Sequence, residues 1–467
     1  MSAQGELARE TARDAVHTAR TLGAEEAEAY ASVDHTWSAR ARRETVTRIR
    51  HSDSCGVGLR VVSGGAIGYA YTSLAQPGAP SLTLRSLAEQ ALGTATVTRP
   101  VTSTVGGSVL PAPDGAVTPV PGLHSPELAR WDPRRATATV ATINEAARSV
   151  AGVADVPRIH YGLEHAVTAV ANSHGVDACS EGALHYAWAE VLCTGDGRTQ
   201  AGSDATWSRE LVELPAGEVG LHAARAALAS RGARAAPTGT FPVVIAPAAA
   251  VNLLDRMELM LSGELVRKGR SLIAGEGERL GSQVLTVIDD PRLPGGLASR
   301  PFDAEGLPSR TRRLIDRGVV TGVLYDSRSA ADAGAAETAN AVRSSYRALP
   351  RPGSSNLFIQ PGETSRVELE RSLGDGLVVE EILGLHGTNP ASGRFSVSVR
   401  GYWVEGGQRA WPVTDTALAG SYRRLWSGIQ DVGSDLEFRP GRGGCGSPSL
   451  LVDALAVSGT AGREGSR

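Results

Sequence analysis

The sequence predicts an α+β protein: N-terminal and middle α+β modules come first, and a β-rich domain of sandwich or barrel type follows. Three observations carry this. Within residues 1–236, small apolar residues at helical spacing bracket stretches of strand character. Two composition breaks, a Pro/Gly/Val/Thr/Ser-rich stretch at 94–124 and Ala236-Pro237-Thr238-Gly239, divide the chain. After residue 240, short β-prone segments recur between Gly-rich turns. The division is a 1–93 N-terminal α+β module, a 94–124 Pro/Gly-rich linker, a 125–236 middle α+β module and a 237–467 C-terminal β-rich domain. No internal repeat is legible.

The elements follow in order. Residues 6–21 set Ala8, Ala12, Ala15 and Ala19 on one helical face. Strands are predicted at 27–33, 43–49 and 56–62, the last ending at the Ser63-Gly64-Gly65 turn, with 66–72 returning and 82–92 helical. In the middle module, Ser125-Pro126-Glu127 reads as an N-cap followed by Pro at the first helical position, and a helix restarts after Asp132-Pro133 and runs to about Val150. Strands at 159–171 and 183–194 are joined through Asn172-Ser173-His174-Gly175, and 218–230 is helical. An apolar run at 241–250 leads into 253–271, where Leu253, Leu254, Met257, Leu261 and Leu265 mark a buried helix running into a loop. Further strands are predicted at 284–288, 318–325, 355–360, 376–381, 394–403 and 449–458.

Composition excludes several classes. Hydrophobic content is 41% and charged content 21%, as in an ordinary soluble protein. The 47 basic and 50 acidic residues are mixed along the chain, against a nucleic-acid binder. Cys55, Cys179, Cys193 and Cys445 lie far apart without a CxxC pair, as expected of reduced thiols. No signal-peptide core and no apolar run long enough for a membrane span occurs, so a cytoplasmic protein is expected.

Spacing alone singles out no active site. His160 and His165, five apart in a strand, point to opposite faces and cannot share a metal. Cys445 sits in a Gly-rich loop without an identifiable base, no GxSxG elbow or GxxxxGKS/T phosphate loop is present, and Gly56-Val57-Gly58 lacks the third glycine of a dinucleotide fingerprint and ends in strand. The carboxylates of Asp289, Asp290, Asp303 and Glu305 are the densest acidic group; beside Pro and Gly they are expected to cap backbone amides.

PFDAEGLPSRTRRLIDRGVVTGVLYDSRSA at 301–330, GLVVEEILGLHGTNPASGRFSVSVRGYWVEGGQ at 376–408, PVTDTALAG at 412–420 and CGSPSLLVDALAVSG at 445–459 resemble the TldD/PmbA family of metallopeptidase-related proteins, also called modulators of DNA gyrase. VANSHG at 170–175 and GLRVV at 58–62 resemble its earlier modules. TldD-type chains of that family carry a His-Glu-x-x-x-His motif followed by a basic-Gly-x-Ser stretch. Here Arg267-Lys268-Gly269-Arg270-Ser271 matches the follow-on stretch, which places Leu254, Asp255 and Leu259 at the motif's His, Glu and His positions. Cys445-Gly446-Ser447 looks like the TldE (PmbA) type. Where the family has a Thr-Gly pair this chain has Glu337-Thr338-Ala339-Asn340, for which a different backbone is expected.

The resemblance implies a non-catalytic, TldE-like subunit. It would hold no cofactor, pair with a TldD-type chain carrying zinc, and help cleave unfolded or linear peptides, among them leader peptides of modified natural products. Arg343, His386 and Asn389 are the polar residues expected to line the substrate path. Two other readings are a stand-alone peptide- or protein-binding adaptor, and an enzyme with relocated chemistry at Cys445, His386 or the Asp289–Glu305 carboxylates.

Overall fold

The N-terminal and middle modules share one sheet. In the computed structural model, the described residues are 2–98, 108–128, 130–195, 198–210, 214–384, 392–440 and 443–459. The first half runs α1 (Ala3–Thr21), β1 (Glu26–Arg42), β2 (Thr45–Ser63), β3 (Ala66–Ser73), α2 (Ser81–Val97), α3 (Pro133–Arg148), β4 (Val153–Asn172), β5 (Asp177–Gly195), β6 (Arg198–Ser208) and α4 (Ala216–Ala229). Sheet order is β3-β2-β1-β4-β5-β6, and β1 and β4 are antiparallel at its centre. Each half is therefore helix, three strands, helix, and the two halves meet about a topological two-fold axis. This is a repeat of architecture that leaves no repeat legible in the sequence.

Local chemistry explains most element boundaries. Ser2 caps α1 by accepting the Gly5 amide, and Ala8, Ala12, Ala15 and Ala19 are buried against an alanine-rich sheet face. Gly64 and Gly65 both take positive φ in the β2–β3 turn, as a type I′ hairpin requires. The strands run past their predicted ends, because β1 and β2 continue through polar residues paired across the sheet. The expected helix start at Ser125 is a single turn in which Ser125 Oγ accepts the Leu128 amide at 3.3 Å. The helix begins instead where Asp132 accepts the Arg134 amide and Pro133 occupies the first position.

The second half runs β7 (Gly239–Ile245), α5 (Pro247–Met260), α6 (Gly263–Arg267), β8 (Val287–Asp289), β9 (Arg312–Asp316), β10 (Val319–Val320), α7 (Ser327–Ala333), β11 (Ala341–Val342), β12 (Arg351–Pro352), β13 (Asn356–Ile359), α8 (Arg366–Ser372), β14 (Gly376–Leu383), β15 (Arg394–Glu405), β16 (Gln408–Ser421), α9 (Tyr422–Ser427), β17 (Ile429–Val432), β18 (Glu437–Pro440), β19 (Gly444–Ser447) and β20 (Leu450–Gly459). β16 pairs with both β15 and β20, and β20-β7-β14-β15 complete the ring, a closed five-stranded barrel. A second sheet has the order β10-β9-β8-β13-β19-β18. The buried face of α5 (Leu253, Leu254, Met257) joins Trp426, Tyr422 and both sheets in one core. Among the described residues no helix is long and apolar enough to cross a membrane.

The halves are locked by buried charge. Glu28 and Arg60 stand opposite each other on β1 and β2, on the sheet face turned toward the C-terminal domain. Arg60 Nη2 donates to Glu28 and, at 2.7 Å, to Glu305; Arg343 pairs with the other Glu28 oxygen. Glu305 also accepts the Ser327 amide and hydroxyl, both at 2.8 Å. Gly56 and Gly58 make the approach possible, since a Cβ on either would stand 2.3 Å or less from Tyr346 atoms. Ala339 takes φ +56°, so the segment where a different backbone was expected is left-handed with a side chain present.

Two outcomes follow. Arg60→Met leaves Glu305 buried beside an aliphatic chain and destabilises by about 3–5 kcal/mol in a urea melt. Ala339→Gly relieves the left-handed strain and raises stability by about 1 kcal/mol, read as a higher denaturation midpoint with unchanged slope.

Candidate functional site

The positions matched to the metal motif lie on α5, which packs across β19. Leu254 is fully buried in the core, while Asp255 and Leu259 are partly exposed. Cys445 on β19 faces the same helix, its Sγ 3.7 Å from the Val251 carbonyl oxygen. Burial, with the negative charges of Asp255 and Glu258, pushes the Cys445 thiol up, so it stays protonated and is a poor nucleophile and ligand. Glu258 accepts the Ser354 hydroxyl at 3.0 Å and lies 3.6 Å from Arg351. Two leucines offer no lone pair, and the residues present do not fit a metal centre at this place.

The acidic group caps. Asp289 accepts the Ser355 amide and hydroxyl and the Asn340 side chain. Asp290 accepts the Arg292 amide, and Asp303 accepts those of Glu305, Leu307 and Ala341. Burial first and the Glu305 charge second push Asp303 up to about 7, Asp326 to about 6 and Glu337 to about 7.

Arg343 lines a cavity of about 320 Å³ between the N-terminal sheet and the C-terminal domain, together with Tyr30, Glu164, Thr168, Arg209 and Arg300. Its guanidinium is buried, paired with Glu28, 3.2 Å from the Ala304 carbonyl and stacked 5.0 Å over Tyr30. It therefore joins the domains from the cavity wall. His386 and Asn389 lie outside the described residues. A second groove, of about 400 Å³, runs between β6 and β18, the end strands of their sheets, where Arg439 and Asp204 meet at 3.3 Å.

Spacing did not reveal two clusters that register assembles on the N-terminal sheet: His35, His51 and Asp53, and His124, His165 and Glu181. His160 and His165 do lie on opposite faces of β4, but each of these triads draws its members from different strands or loops. Only knowledge of which strands pair would have found them.

Comparison with known proteins covers nearly the whole chain. Family models described as PmbA/TldA metallopeptidase domain 1, central domain and C-terminal domain match residues 27–95, 126–231 and 238–459. The metalloprotease PmbA of Escherichia coli is 30% identical over 302 residues, 64% of this chain and 63% of that protein. A metalloprotease TldD homolog of Buchnera aphidicola is 28% identical, across 54% of this chain and 53% of its own length. The match thus spans less than two-thirds of either relative. A metalloprotease PmbA homolog of Haemophilus influenzae is 25% identical over 98% of both chains. TldE from Thermococcus kodakarensis superposes with a TM-score of 0.86 at 22% identity over 96% of this chain and 99% of its own, a likeness of fold. A Thermotoga maritima protein described as a modulator of a DNA gyrase gives 0.83 at 25% identity, over 96% and 100%.

The raised carboxyl of Glu337 sets a testable sign. Its folded pKa exceeds its ordinary value of 4.5, so its contribution to stability is present at low pH and is lost as pH rises toward about 7. The buried, lowered histidines His160, His165 and His185 act oppositely, so the informative quantity is a difference between variants. Glu337→Gln gains stability relative to the parent as pH rises from about 4.5 to 8, measured by paired denaturation midpoints; a difference independent of pH contradicts the assignment.

Proposed function

The chain belongs to the PmbA/TldD metallopeptidase family, and from that premise we propose that it is a non-catalytic, TldE-like subunit of a two-chain zinc peptidase acting on unfolded or linear peptides. One observation carries the reading: buried Leu254 and half-buried Leu259 stand where the family resemblance puts metal ligands, beside a Cys445 thiol that burial keeps protonated. The hydrolytic centre is assigned to a TldD-type partner. This chain contributes walls: it orients the substrate, excludes water and completes the chamber.

Extended peptides are held by adding a strand to a sheet edge, because main-chain hydrogen bonds tolerate any sequence. The groove between β6 and β18, bordered by two end strands, supports that mode. Arg343, with His386 and Asn389, remains our choice for the polar lining of the path. Leader peptides of modified natural products are the substrate class we favour, and the site of action we propose is the cytoplasm.

Co-expression with a relative bearing the His-Glu-x-x-x-His motif tests this. The expected result is a heterodimer that hydrolyses a linear peptide at least about tenfold faster than the motif-bearing chain alone, a gain of about 1.4 kcal/mol in transition-state stabilisation. This chain by itself is expected to turn over nothing. Hydrolysis by the isolated chain, or failure of the two chains to associate, overturns the reading.

A further inference from the structure

The two helix pairs leave a strip of the N-terminal sheet between them, and imidazoles fill it. On the helix-bearing face, Ala29, Ala31 and Val33 pack under α1 and α2, and Ala39, Ala41 and Ile159 pack with α3 and α4. Between these patches β1 presents His35 and Trp37, and register sets His165 opposite His35 and His51 opposite Trp37. His35 and His165 stack with centroids 5.8 Å apart; His124, from the segment between α2 and α3, tilts against His165 at 5.7 Å.

Hydrogen bonding accounts for one triad and not the other. Asp53 Oδ1 lies 2.6 Å from His35 Nδ1 and 2.8 Å from His51 Nε2, on an exposed edge of the cluster. In the inner triad, His165 Nε2 is 2.9 Å from Glu181 Oε1, but His124 Nε2 stands 3.9 Å from that oxygen, too far for a hydrogen bond. His124 Nδ1 is buried without a partner. Its ring, 26% exposed, therefore makes no protein hydrogen bond among the described residues, although its Nε2 is aimed at a carboxylate.

We propose that His124, His165 and Glu181 form a binding site for a divalent transition-metal ion of the zinc class, which ties the segment around His124 to the sheet. Two imidazoles and one carboxylate are a zinc-type ligand set with a fourth position left for water. A tetrahedral zinc holds neighbouring ligand atoms about 3.3 Å apart, and the observed separations of 2.9 and 3.9 Å fall on either side of that spacing. His165 ligates through Nε2 when its proton sits on Nδ1, and His124 through its Nε2, which faces the same carboxylate oxygen. The Ser2 amide meets Glu181 Oε2 at 3.3 Å, which steadies the ligand from behind and leaves Oε1 for the ion. This site is independent of α5, and it departs from the expectation that the chain holds no metal.

The test uses the purified full chain, stripped with chelator and titrated with zinc against a chromophoric competitor, with cobalt as a spectroscopic probe. One equivalent is expected, with cobalt absorption of a four- or five-coordinate nitrogen–oxygen site and a metal-dependent rise in melting temperature. His124→Gln and Glu181→Gln each weaken binding by more than about 100-fold, a larger loss than supporting residues give. His51→Gln, in the outer triad, leaves it unchanged. Glu181→Gln keeps the side-chain shape and stands as the second test if His124→Gln disturbs folding. Absence of a stoichiometric ion, binding that survives either inner substitution, or loss on His51→Gln alone overturns the proposal. Peptide hydrolysis by the heterodimer is expected to be indifferent to His124→Gln, so failure here and failure of the proposed function are told apart.

Discussion

Arg60 is a cation with almost no access to water, set between carboxylates from two domains, and the arrangement of the whole chain depends on it. Moving such an ion from water into protein costs several kcal/mol, and the loss is offset only where the partners are close and fully engaged. Each partner is. Glu28 takes Arg343 as well as Arg60, and Glu305 takes the Ser327 amide and hydroxyl. The geometry also fixes the cavity, because Arg343 and Tyr30 are at once part of the lock and part of the wall. Burial first, and the Glu305 charge second, raise the neighbouring carboxyls of Asp303, Asp326 and Glu337, so the lock adds to a pH response that burial dominates.

The fold was legible where local chemistry decides it. Alanine periodicity found α1, the Gly64-Gly65 turn found the β2–β3 hairpin, and the apolar row from Leu253 found α5. Sequence reasoning stopped short where tertiary pairing decides. β1 and β2 continue through His35, Ser38, Arg50 and Asp53 because each has a cross-strand neighbour, which no window of sequence contains. β16 closes the barrel yet its sequence does not read as a strand, since Pro412 interrupts the pattern and Asp415, at φ +47°, lies in a bulge of the pairing with β15. Ala339 holds a glycine-like conformation because Thr338 and Asn340 on either side are anchored to Tyr325 and Asp289.

The candidate site divides in the same way. The sequence resemblance puts Leu254 and Leu259 at the metal-motif positions; α5 buries Leu254 in the core and leaves Leu259 partly exposed. Gly56 and Gly58, which carry no nucleotide fingerprint, have their reason in Tyr346, almost three hundred residues away in the chain. Histidines scattered over four segments converge only after the central antiparallel pair has formed.

The separation of Glu305 from Arg60 has a consequence for synthesis on the ribosome. The two residues are 245 positions apart, and at roughly 5–20 residues per second the chain needs on the order of 12–50 s to supply the second carboxylate. Once Ser208 ends β6, with 97 positions (305 − 208) still to come before Glu305, the six-stranded sheet can be complete, yet one face carries a guanidinium with a single partner and glycines shaped for an aromatic ring still to be made. A nascent chain of this length is a half-finished surface, and any holding factor that binds it must let go once residues 301–346 emerge.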